Sequence, residues 1–321
     1  MTSEFEVIQR YFRSLGAARD DVLLGVGDDA ALLRVPDAAT LVLTTDALVE
    51  GVHFLPGAPA ESLGHRALAV NLSDIAAMGA TPAWMLLSLV MPQAEDAWLQ
   101  GFCRGLSALA LHHNVALVGG NLSRGPLSIT VELAGSVPHG QALRRDAGRP
   151  GDDLYVSGSV GDAGAGRELL QGRGLAGRPA AQAALQRRFT HPEPRVLLGQ
   201  RLRGLASACI DVSDGLYEDA GRLLQACRCA AELDAHSLPL SAPLLECAGT
   251  AAVQFALTGG EDYELCFTAP PSQAAAIQRL AGELVVPLSR IGRLASGSGL
   301  KVKSAAAASI TPDSTFDHFR H

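Results

Sequence analysis

Residues 61–90 read ESLGHRALAVNLSDIAAMGATPAWMLLSLV, and this stretch decides the fold class. Its first half has apolar residues at the spacing of one helix face, among them Leu63, Leu68 and Leu72. Gly79 predicts the end of this helix near residue 78. The apolar run that follows, residues 85–90, predicts a strand. A helix that leads directly into an apolar strand indicates a chain that mixes helices and strands in one layered fold.

The same alternation extends outward from this stretch in both directions. A capping-box pattern, Ser3-x-x-Glu6, predicts a first helix that runs to about Leu15. We expect the other helices at residues 94–112, 163–171, 194–205 and 215–227. We expect strands at residues 41–45 (ending on Asp46), 116–118, 127–137, 153–157, 208–212 and 263–267. The glycine-rich run at residues 158–166 predicts a turn that enters a helix, because it does not match G-x-G-x-x-G.

A polar segment rich in proline and glycine, residues 138–152, predicts a domain boundary. The sequence thus predicts a two-domain α/β (α+β) protein. Residues 1–137 are the predicted N-terminal domain, and residues 138–152 are a linker. Residues 153–321 are the predicted C-terminal α/β domain.

The composition excludes several classes of protein. Of the 321 residues, 48% are hydrophobic and 18% charged, which is typical of a compact enzyme rather than a disordered chain. The net charge of −7 argues against a nucleic acid partner. No apolar run is long enough for a membrane span or a signal peptide. The six cysteines are dispersed, which favours a reducing cytoplasm over a disulfide framework.

Lysine is nearly absent from the chain. Lys301 and Lys303 are the only two in the sequence, and the other basic side chains are arginines. A glycine-loop lysine therefore cannot bind phosphates here. If the protein handles phosphates, metal ions have to supply much of the positive charge.

Short acidic motifs follow one another along the chain, each flanked by small residues. They are residues 27–30 (GDDA), 44–46 (TTD), 71–74 (NLSD), 211–215 (DVSDG) and 259–262 (GGED). Like charges raise each other's pKa when they are brought together, and a hard divalent cation relieves that cost. The motifs together therefore predict a magnesium site.

Each motif also has a purely structural interpretation. Asp214-Gly215 is a common turn or helix cap, Asp28-Asp29 is typical of a solvated loop, and Asp46 is typical of a strand end. Asp74 is different, because it lies in an apolar helical segment where an unpaired carboxylate would be costly. A functional role is favoured for Asp74.

Six motifs, in their order along the chain, resemble those of the thiamine-monophosphate kinase family. They are GVGDDAA (25–31), TTDALVEGVHF (44–54), ALAVNLSDIAAMGATP (67–82), LVGGN-x-x-RGP (117–126), DVSDGL (211–216) and GGEDYELCF (259–267). The resemblance covers nearly the whole chain. It implies ATP-dependent phosphorylation of thiamine monophosphate to thiamine diphosphate. It also implies that residues 1–137 form a metal- and ATP-binding domain whose sheet pairs with that of a second copy in a homodimer. Residues 153–321 would then form a domain that closes over ATP and substrate.

The resemblance also implies a role for individual residues. It implies that several Mg²⁺ ions are bound by a set of oxygen-bearing side chains, namely Asp29, Thr44, Thr45, Asp46, Asp74, Asn121, Asp211 and Asp214. It assigns ATP contacts to Gly120, Asn121, Arg145 and Ser213. It assigns contacts with thiamine monophosphate to His53, Glu261 and Phe316, with Asp262 as the alternative to Glu261 if the register is shifted by one.

One position departs from the family pattern. The family has an aspartate after the two glycines at 119–120, whereas this chain has Asn121. An amide oxygen can ligate magnesium, but it contributes no charge. The substitution is compatible with weaker metal binding, a slower enzyme or a diverged paralogue.

The expected chemistry is a direct in-line phosphoryl transfer, with no covalent nucleophile or general base supplied by the chain. Two alternatives remain at this point. One is another ATP-dependent enzyme of the same superfamily, such as an aminoimidazole ribonucleotide synthetase-like ligase. The other is a non-catalytic protein that binds ATP or thiamine phosphate.

Overall fold

The computed structural model describes residues 4–303, which divide into two compact units. The first unit comprises the chain up to Ile75 together with Ala80–Gly140. The second comprises Ala76–Gly79 and the chain from Gln141 onward. No helix among residues 4–303 is both long enough and apolar enough to cross a bilayer.

The first unit is built on a mixed sheet flanked by helices. Its helices are α1 (Glu4–Val7), α2 (Ala60–Ala77, whose last two residues group with the second unit) and α3 (Asp96–His112). Its strands are β1 (Val22–Leu24), β2 (Leu32–Leu33), β3 (Ala39–Val49), β4 (Thr81–Met91), β5 (Ala116–Arg124) and β6 (Ser128–Pro138). The main sheet has the order β3-β6-β4-β5, with β4 and β5 parallel and the other pairs antiparallel.

One face of this sheet forms the core of the first unit. Ile129, Leu133 and Leu89 have at most 1% of their surface exposed, as do Leu68 of α2 and Leu106 of α3. Because side chains alternate along a strand, the residues between them project to the opposite face. That opposite face carries exposed apolar side chains, with Leu43 73% and Leu86 38% exposed.

Two glycines allow the helices of the first unit to pack closely. A Cβ at Gly105 of α3 would lie 1.9 Å from the Glu61 carbonyl oxygen, and one at Gly64 of α2 would lie 2.0 Å from the Phe102 carbonyl oxygen. Any side chain at either position would push the two helices apart.

The second unit has a larger, mostly antiparallel sheet. Its strands are β7 (Asp153–Ser157), β8 (Ala208–Asp211), β9 (Cys229–Asp234), β10 (Leu265–Ala269), β11 (Leu288–Ser296) and β12 (Gly299–Lys303). Their order is β12-β9-β11-β7-β10-β8, with only the described β12–β9 pair parallel. Its helices are α4 (Asp162–Leu170), α5 (Pro179–Thr190), α6 (Val196–Leu202), α7 (Leu216–Cys227), α8 (Ala242–Ala248), α9 (Ala252–Thr258) and α10 (Ala274–Leu284).

Two local predictions in the first 50 residues need correction. The strand expected to end on Asp46 continues to Val49, because β3 pairs with β6 along its whole length. The first helix does not run as an α-helix to Leu15: α1 is followed by a π-helical turn, Ile8–Phe12. A π turn places residues five apart on one face, and Val7 and Phe12 are both buried, at 1% and 7% exposure. The predicted cap residue Ser3 lies outside the described residues.

The segment predicted as a linker is hydrogen bonded to the second unit from residue 143 onward. The Leu143 N–H donates to the Met78 carbonyl oxygen at 3.0 Å, and the Gly151 N–H donates to the Leu294 carbonyl oxygen at 2.8 Å. The boundary between the units falls after Gly140.

Candidate functional site

The predicted site residues form two groups, one in each unit. In the first unit, a cavity of about 810 Å³ opens on the sheet and the loop before β2. It is lined by five of the predicted metal or nucleotide residues and by Asp28, the neighbour of one of them. The five are Asp29, Thr44, Thr45, Gly120 and Asn121.

The polar groups that line this cavity are nearly all oxygen donors to a cation. Carboxylates come from Asp28, Asp29 and Glu132, and hydroxyls come from Thr45, Ser88 and Thr130. Asp28 also accepts the backbone N–H of Asp29 at 2.8 Å through Oδ1. Hard cations such as Mg²⁺ prefer oxygen ligands of this kind.

Asp74 of α2 is held by a strand residue. The Thr44 hydroxyl donates to Asp74 Oδ2 at 2.5 Å. Asp46 lies two residues further along β3, so it projects to the same face as Thr44, whereas Thr45 projects to the opposite face. The predicted ligands of β3 are therefore divided between the two faces of the sheet.

Asn121 lies within β5 rather than after it. The strand passes Gly120, whose φ of +152° and close approach to β4 leave no room for a side chain: a Cβ there would lie 1.9 Å from the Leu87 carbonyl oxygen. Asn121 Nδ2 donates to Ser123 Oγ at 3.0 Å. Because the amide nitrogen is hydrogen bonded to Ser123, the amide oxygen, which is the atom that can ligate a cation, points away from Ser123.

The residues of the first unit fit Mg²⁺ as a partial ligand set. Within residues 4–303, no group of three or more His, Cys, Asp or Glu side chains is close enough to hold a metal ion. Magnesium typically takes one or two carboxylates and completes its shell with water and substrate phosphates. The donors are therefore of the right chemistry, and substrate oxygens would have to complete the shell.

His53 lies in the loop that follows β3, and its ring is already engaged. The Val49 N–H donates to His53 Nδ1 at 3.0 Å, so this nitrogen is the unprotonated acceptor in that bond. The half-buried ring is thus oriented with its other nitrogen, Nε2, as the donor.

In the second unit, the DVSDG motif forms the turn between β8 and α7. The N–H groups of Ser213 and Asp214 both donate to Asp219 Oδ2, at 3.0 and 2.9 Å. Asp219 lies in the first turn of α7 and is 1% exposed. Gly215, at a φ of +118°, makes the sharp turn into the helix. Asp211, 5% exposed, ends β8.

Arg222 of α7 offsets the negative charge of the two carboxylates at this turn. Its Nη1 donates to a carboxylate oxygen of Asp214 and to Asp219 Oδ1, the latter at 2.9 Å. Burial raises the pKa of Asp219 to about 6, and the negative charge of Asp214 adds to the rise, against Arg222 and the two backbone donors. Asp214, a predicted metal ligand, thus has a cationic partner within the chain itself.

The GGED motif lies directly against this turn. The Glu261 N–H donates to the Ser213 carbonyl oxygen at 2.7 Å, and the Tyr263 N–H donates to the Val212 carbonyl oxygen at 2.8 Å. The Glu261 carboxylate accepts the Tyr263 hydroxyl at 2.8 Å. The predicted ATP contact Ser213 and the predicted substrate contact Glu261 are therefore neighbours.

Asp262 has a structural role. It is 2% exposed and accepts the N–H groups of Gly161 and Ala163, at 2.7 and 3.2 Å, at the start of α4. Burial raises its pKa to about 8, against the lowering effect of these donors and of Arg188. A buried carboxylate that caps a helix is not available to a substrate, which favours Glu261 over Asp262.

Glu264 is fully buried and was not among the predicted residues. It accepts hydrogen bonds from Arg195 Nε at 2.7 Å, from Arg188 Nη2 at 2.8 Å and from Ser157 Oγ at 2.5 Å. Burial alone would raise its pKa, but the two guanidinium groups and the Ser157 hydroxyl hold the pKa below its usual value. This network anchors the strand that follows the GGED loop.

Arg145 is exposed and lies in a segment bonded to the second unit. Its carbonyl oxygen accepts the Cys227 thiol at 2.9 Å, and the neighbouring Arg144 carbonyl accepts the Cys209 N–H at 3.0 Å. Phe316 lies outside the described residues.

The sequence interpretation missed Ser88, Thr130 and Glu132 in the cavity of the first unit, and Asp219, Arg222 and Tyr263 in the second unit. An acidic residue in the first turn of a predicted helix was a signal for Asp219, because such residues cap exposed N–H groups. Arg222 follows Asp219 by three residues on the same helix face. No comparable signal marked Tyr263, since its hydroxyl reaches Glu261 only through an unusual backbone.

Comparison with known proteins identifies the class to which this fold and site belong. The sequence profile of the AIR synthase related protein N-terminal domain matches residues 27–137, and that of the corresponding C-terminal domain matches residues 149–304. The chain is thus an AIR synthase-related protein with both domains.

Full-length relatives narrow the class to one family. The chain is 45% identical to thiamine-monophosphate kinase of Salmonella typhimurium over 91% of this chain and 90% of the relative. It is 41% identical to the Haemophilus influenzae thiamine-monophosphate kinase over 99% and 98% of the two chains. The chain belongs to the thiamine-monophosphate kinase family.

Solved structures agree with this assignment. The crystal structure of thiamine-monophosphate kinase from Stenotrophomonas maltophilia has a TM-score of 0.85 and 50% identity, over 90% of this chain and 93% of that one. A structure described as AaThiL complexed with AMPPCP and TMP has a TM-score of 0.79 and 34% identity, over 92% of each chain.

Proposed function

We propose that this kinase transfers the γ-phosphoryl group of ATP directly to the phosphate of thiamine monophosphate. A phosphate oxygen of the acceptor forms the new bond to the γ-phosphorus, the bond from that phosphorus to the β-phosphate oxygen breaks, and ADP leaves. The observation that carries this proposal is the cavity lined by Asp29, Thr44, Thr45 and Asn121, whose oxygen donors suit polyphosphate-bound cations.

The chain's own carboxylates are not needed as proton acceptors. A phosphate monoester has a second pKa of about 6 and is largely ionised near neutral pH. The acceptor oxygen is therefore already a nucleophile, and the protein has to position it and offset the repulsion between two anions. No side chain forms a covalent intermediate in this scheme.

Several Mg²⁺ ions belong to the proposal, together with the residues that would hold them. These are Asp29, Thr44, Thr45, Asp46, Asp74 and Asn121 in the first unit, and Asp211 and Asp214 in the second. Bound Mg²⁺ supplies a Lewis acid and a template for the transferred phosphoryl group. The scarcity of lysine supports this assignment, because the first 300 residues offer no ammonium group for the phosphates.

The nucleotide and substrate contacts complete the proposal. Gly120, Asn121, Arg145 and Ser213 bind ATP, and His53, Glu261 and Phe316 bind thiamine monophosphate. The hydrogen bond between the Glu261 N–H and the Ser213 carbonyl supports the pairing of an ATP residue with a substrate residue in the second unit. A cytoplasmic location remains part of the proposal, on the sequence argument from the dispersed cysteines.

A homodimer is also proposed, formed through the sheet of the first unit. Leu43 of β3 and Leu86 of β4 are 73% and 38% exposed on its open face, and Leu41 near the start of β3 is 44% exposed. Contiguous exposed apolar patches mark protein–protein interfaces or ligand sites. We expect sedimentation equilibrium to give twice the chain mass and Leu43→Glu to give a monomer; a wild-type monomer would contradict the proposal.

The function is tested by incubating the protein with ATP, Mg²⁺ and thiamine monophosphate and detecting thiamine diphosphate by mass. We expect one ADP for each thiamine diphosphate formed. Failure to form product, with ATP and thiamine monophosphate both bound in calorimetry, would point instead to a binding protein without turnover. Turnover of ATP only with an amidine acceptor would point to a synthetase of the same superfamily.

A further inference from the structure

The loop that carries Glu261 has an unusual backbone. Glu261 and Tyr263 have φ angles of +65° and +51°, in the left-handed region that non-glycine residues rarely adopt. Gly260, immediately before them, also has a positive φ of +67°. Strain of this kind persists only where the surroundings fix it, and it clusters at functional sites.

The surroundings fix this loop from two sides. Toward β8, the backbone N–H groups of Glu261 and Tyr263 bond to the carbonyl groups of Ser213 and Val212. Toward α4, the buried Asp262 carboxylate accepts two helix N–H groups. Three successive residues are therefore tied to two different elements, and the loop has little freedom to rotate.

This backbone brings together two side chains that an extended strand would keep several ångströms apart. Residues i and i+2 of an extended strand lie on one face but several ångströms apart. Here both residues are left-handed, and the Tyr263 hydroxyl donates to Glu261 Oε2 at 2.8 Å. Tyr263 is only 8% exposed, so its hydroxyl is held by a side chain packed within the fold.

We propose that Tyr263 is a positioning residue that orients the Glu261 carboxylate toward thiamine monophosphate. This inference rests on the proposed function, in which Glu261 contacts that substrate. A glutamate has three side-chain torsions, and an oriented carboxylate loses less freedom when the substrate binds. Hydrogen bonds to a charged acceptor are stronger than neutral ones, so this single hydroxyl is able to hold the group.

A purely structural role for Tyr263 predicts different kinetics. A residue that only packs the loop would, when altered, affect ATP and thiamine monophosphate alike, because Ser213 is bonded to the same loop. A positioning residue affects the substrate that Glu261 contacts. The split between the two Michaelis constants therefore distinguishes the two roles.

The test uses the full chain with Tyr263→Phe, Glu261→Gln and the double variant. We expect Tyr263→Phe to raise KM for thiamine monophosphate about tenfold, with KM for ATP within about twofold of wild type. In the Glu261→Gln background, Tyr263→Phe should add less than about twofold, because the two side chains act as one unit. Tyr155→Phe, a buried tyrosine of β7 stacked on Phe267, is the matched control and should leave both KM values unchanged.

Calorimetric titration of thiamine monophosphate in the presence of AMPPCP gives a readout that does not depend on turnover. The same tenfold weakening is expected there, with melting temperatures of wild type and Tyr263→Phe in agreement. Equal effects on both substrates, additive effects in the double variant or unchanged binding would overturn the inference. If wild type binds thiamine monophosphate without phosphorylating it, the proposed function fails while the titration still tests Tyr263; if it does not bind at all, both fail.

Discussion

The Thr44 hydroxyl of β3 donates a hydrogen bond to Asp74 of α2 at 2.5 Å, and this bond links the sheet of the first unit to the helix that covers it. The bond holds in place the half-buried carboxylate of Asp74, which lies between the fully buried Leu72 and Ile75 in the sequence of α2. Partial burial of a carboxylate costs free energy unless hydrogen bonds or a bound cation offset it.

Replacing Asp74 by Asn should therefore separate function from folding. The amide retains the shape of the side chain and an oxygen that can accept from Thr44, but it removes the charge. We expect turnover of thiamine monophosphate to fall at least 100-fold, about 2.7 kcal/mol in the barrier, with the melting temperature close to that of wild type. Steady-state kinetics and a thermal melt measure the two quantities.

Asp37→Asn is a matched control for this variant, because Asp37 is an exposed aspartate in the turn that precedes β3. It should retain wild-type turnover. Near-normal turnover of Asp74→Asn would refute the assignment of Asp74 to the metal site.

Asn121→Asp should improve magnesium binding. The change restores a charged ligand to the cavity, and the Ser123 hydroxyl that now accepts from the amide is able to donate to the new carboxylate. Two unit charges about 4 Å apart interact by roughly 4 kcal/mol near a protein surface, part of which screening removes. We expect the Mg²⁺ concentration for half-maximal rate to fall about tenfold.

The measurement is a series of initial rates at fixed ATP and rising Mg²⁺, with Ser123→Ala as a control for the lost hydrogen bond. An unchanged Mg²⁺ dependence would show that Asn121 does not contact the metal.

Glu264→Gln should destabilise the second unit without touching the proposed site. The variant removes the negative charge of Glu264, which pairs with both Arg188 and Arg195. Both arginine side chains are less than one-fifth exposed. Removing one partner of a buried ion pair costs about 3–5 kcal/mol, and we expect the lower end because the arginines retain some solvent contact. Urea unfolding followed by circular dichroism measures the free energy.

Glu246→Gln provides the comparison, since Glu246 pairs with Arg178 at the surface, where the arginine side chain is 83% exposed. Its unfolding midpoint should stay near that of wild type, because surface pairs contribute little. Equal effects of the two variants would contradict a special role for the buried network.

The elements predicted correctly from the sequence are those with a local signal. Apolar spacing predicted α2, and the mainly apolar run at residues 85–90 predicted most of β4. In contrast, β11 carries two arginines and a glycine with a register shift between Arg290 and Gly292, so no local pattern marks it. It is a strand because β7 and β9 pair with it on either side, which is a tertiary effect that local propensity does not encode.

The site followed the same division. The order of the motifs predicted the family, and the comparisons confirmed it. The residues of the acidic motifs are proposed as ligands of Mg²⁺. The partners that hold those motifs, Arg222 on Asp214 and Tyr263 on Glu261, depend on distances created by folding. The loop conformation at Glu261 was unpredictable in particular, because left-handed backbone at a glutamate and a tyrosine opposes their intrinsic preference.

Asp262 makes the stability of the second unit depend on pH. Burial raises the pKa of this carboxyl from 3.8 to about 8, so the folded chain holds a proton that the unfolded chain releases. This contribution to stability is complete below about pH 4 and is lost as pH rises toward 8, with a slope of up to about 1.4 kcal/mol per pH unit.

Asp262→Asn keeps the uncharged form at every pH. Its free energy of unfolding, measured in urea at several pH values from about 5 to 8, should therefore fall less steeply than that of wild type. Asp146→Asn should follow the wild-type slope, because the hydrogen bond from Arg144 lowers the pKa of Asp146 and its titration is complete below this range. Parallel slopes for wild type and Asp262→Asn would show that Asp262 is ionised throughout and that its helix N–H donors outweigh its burial.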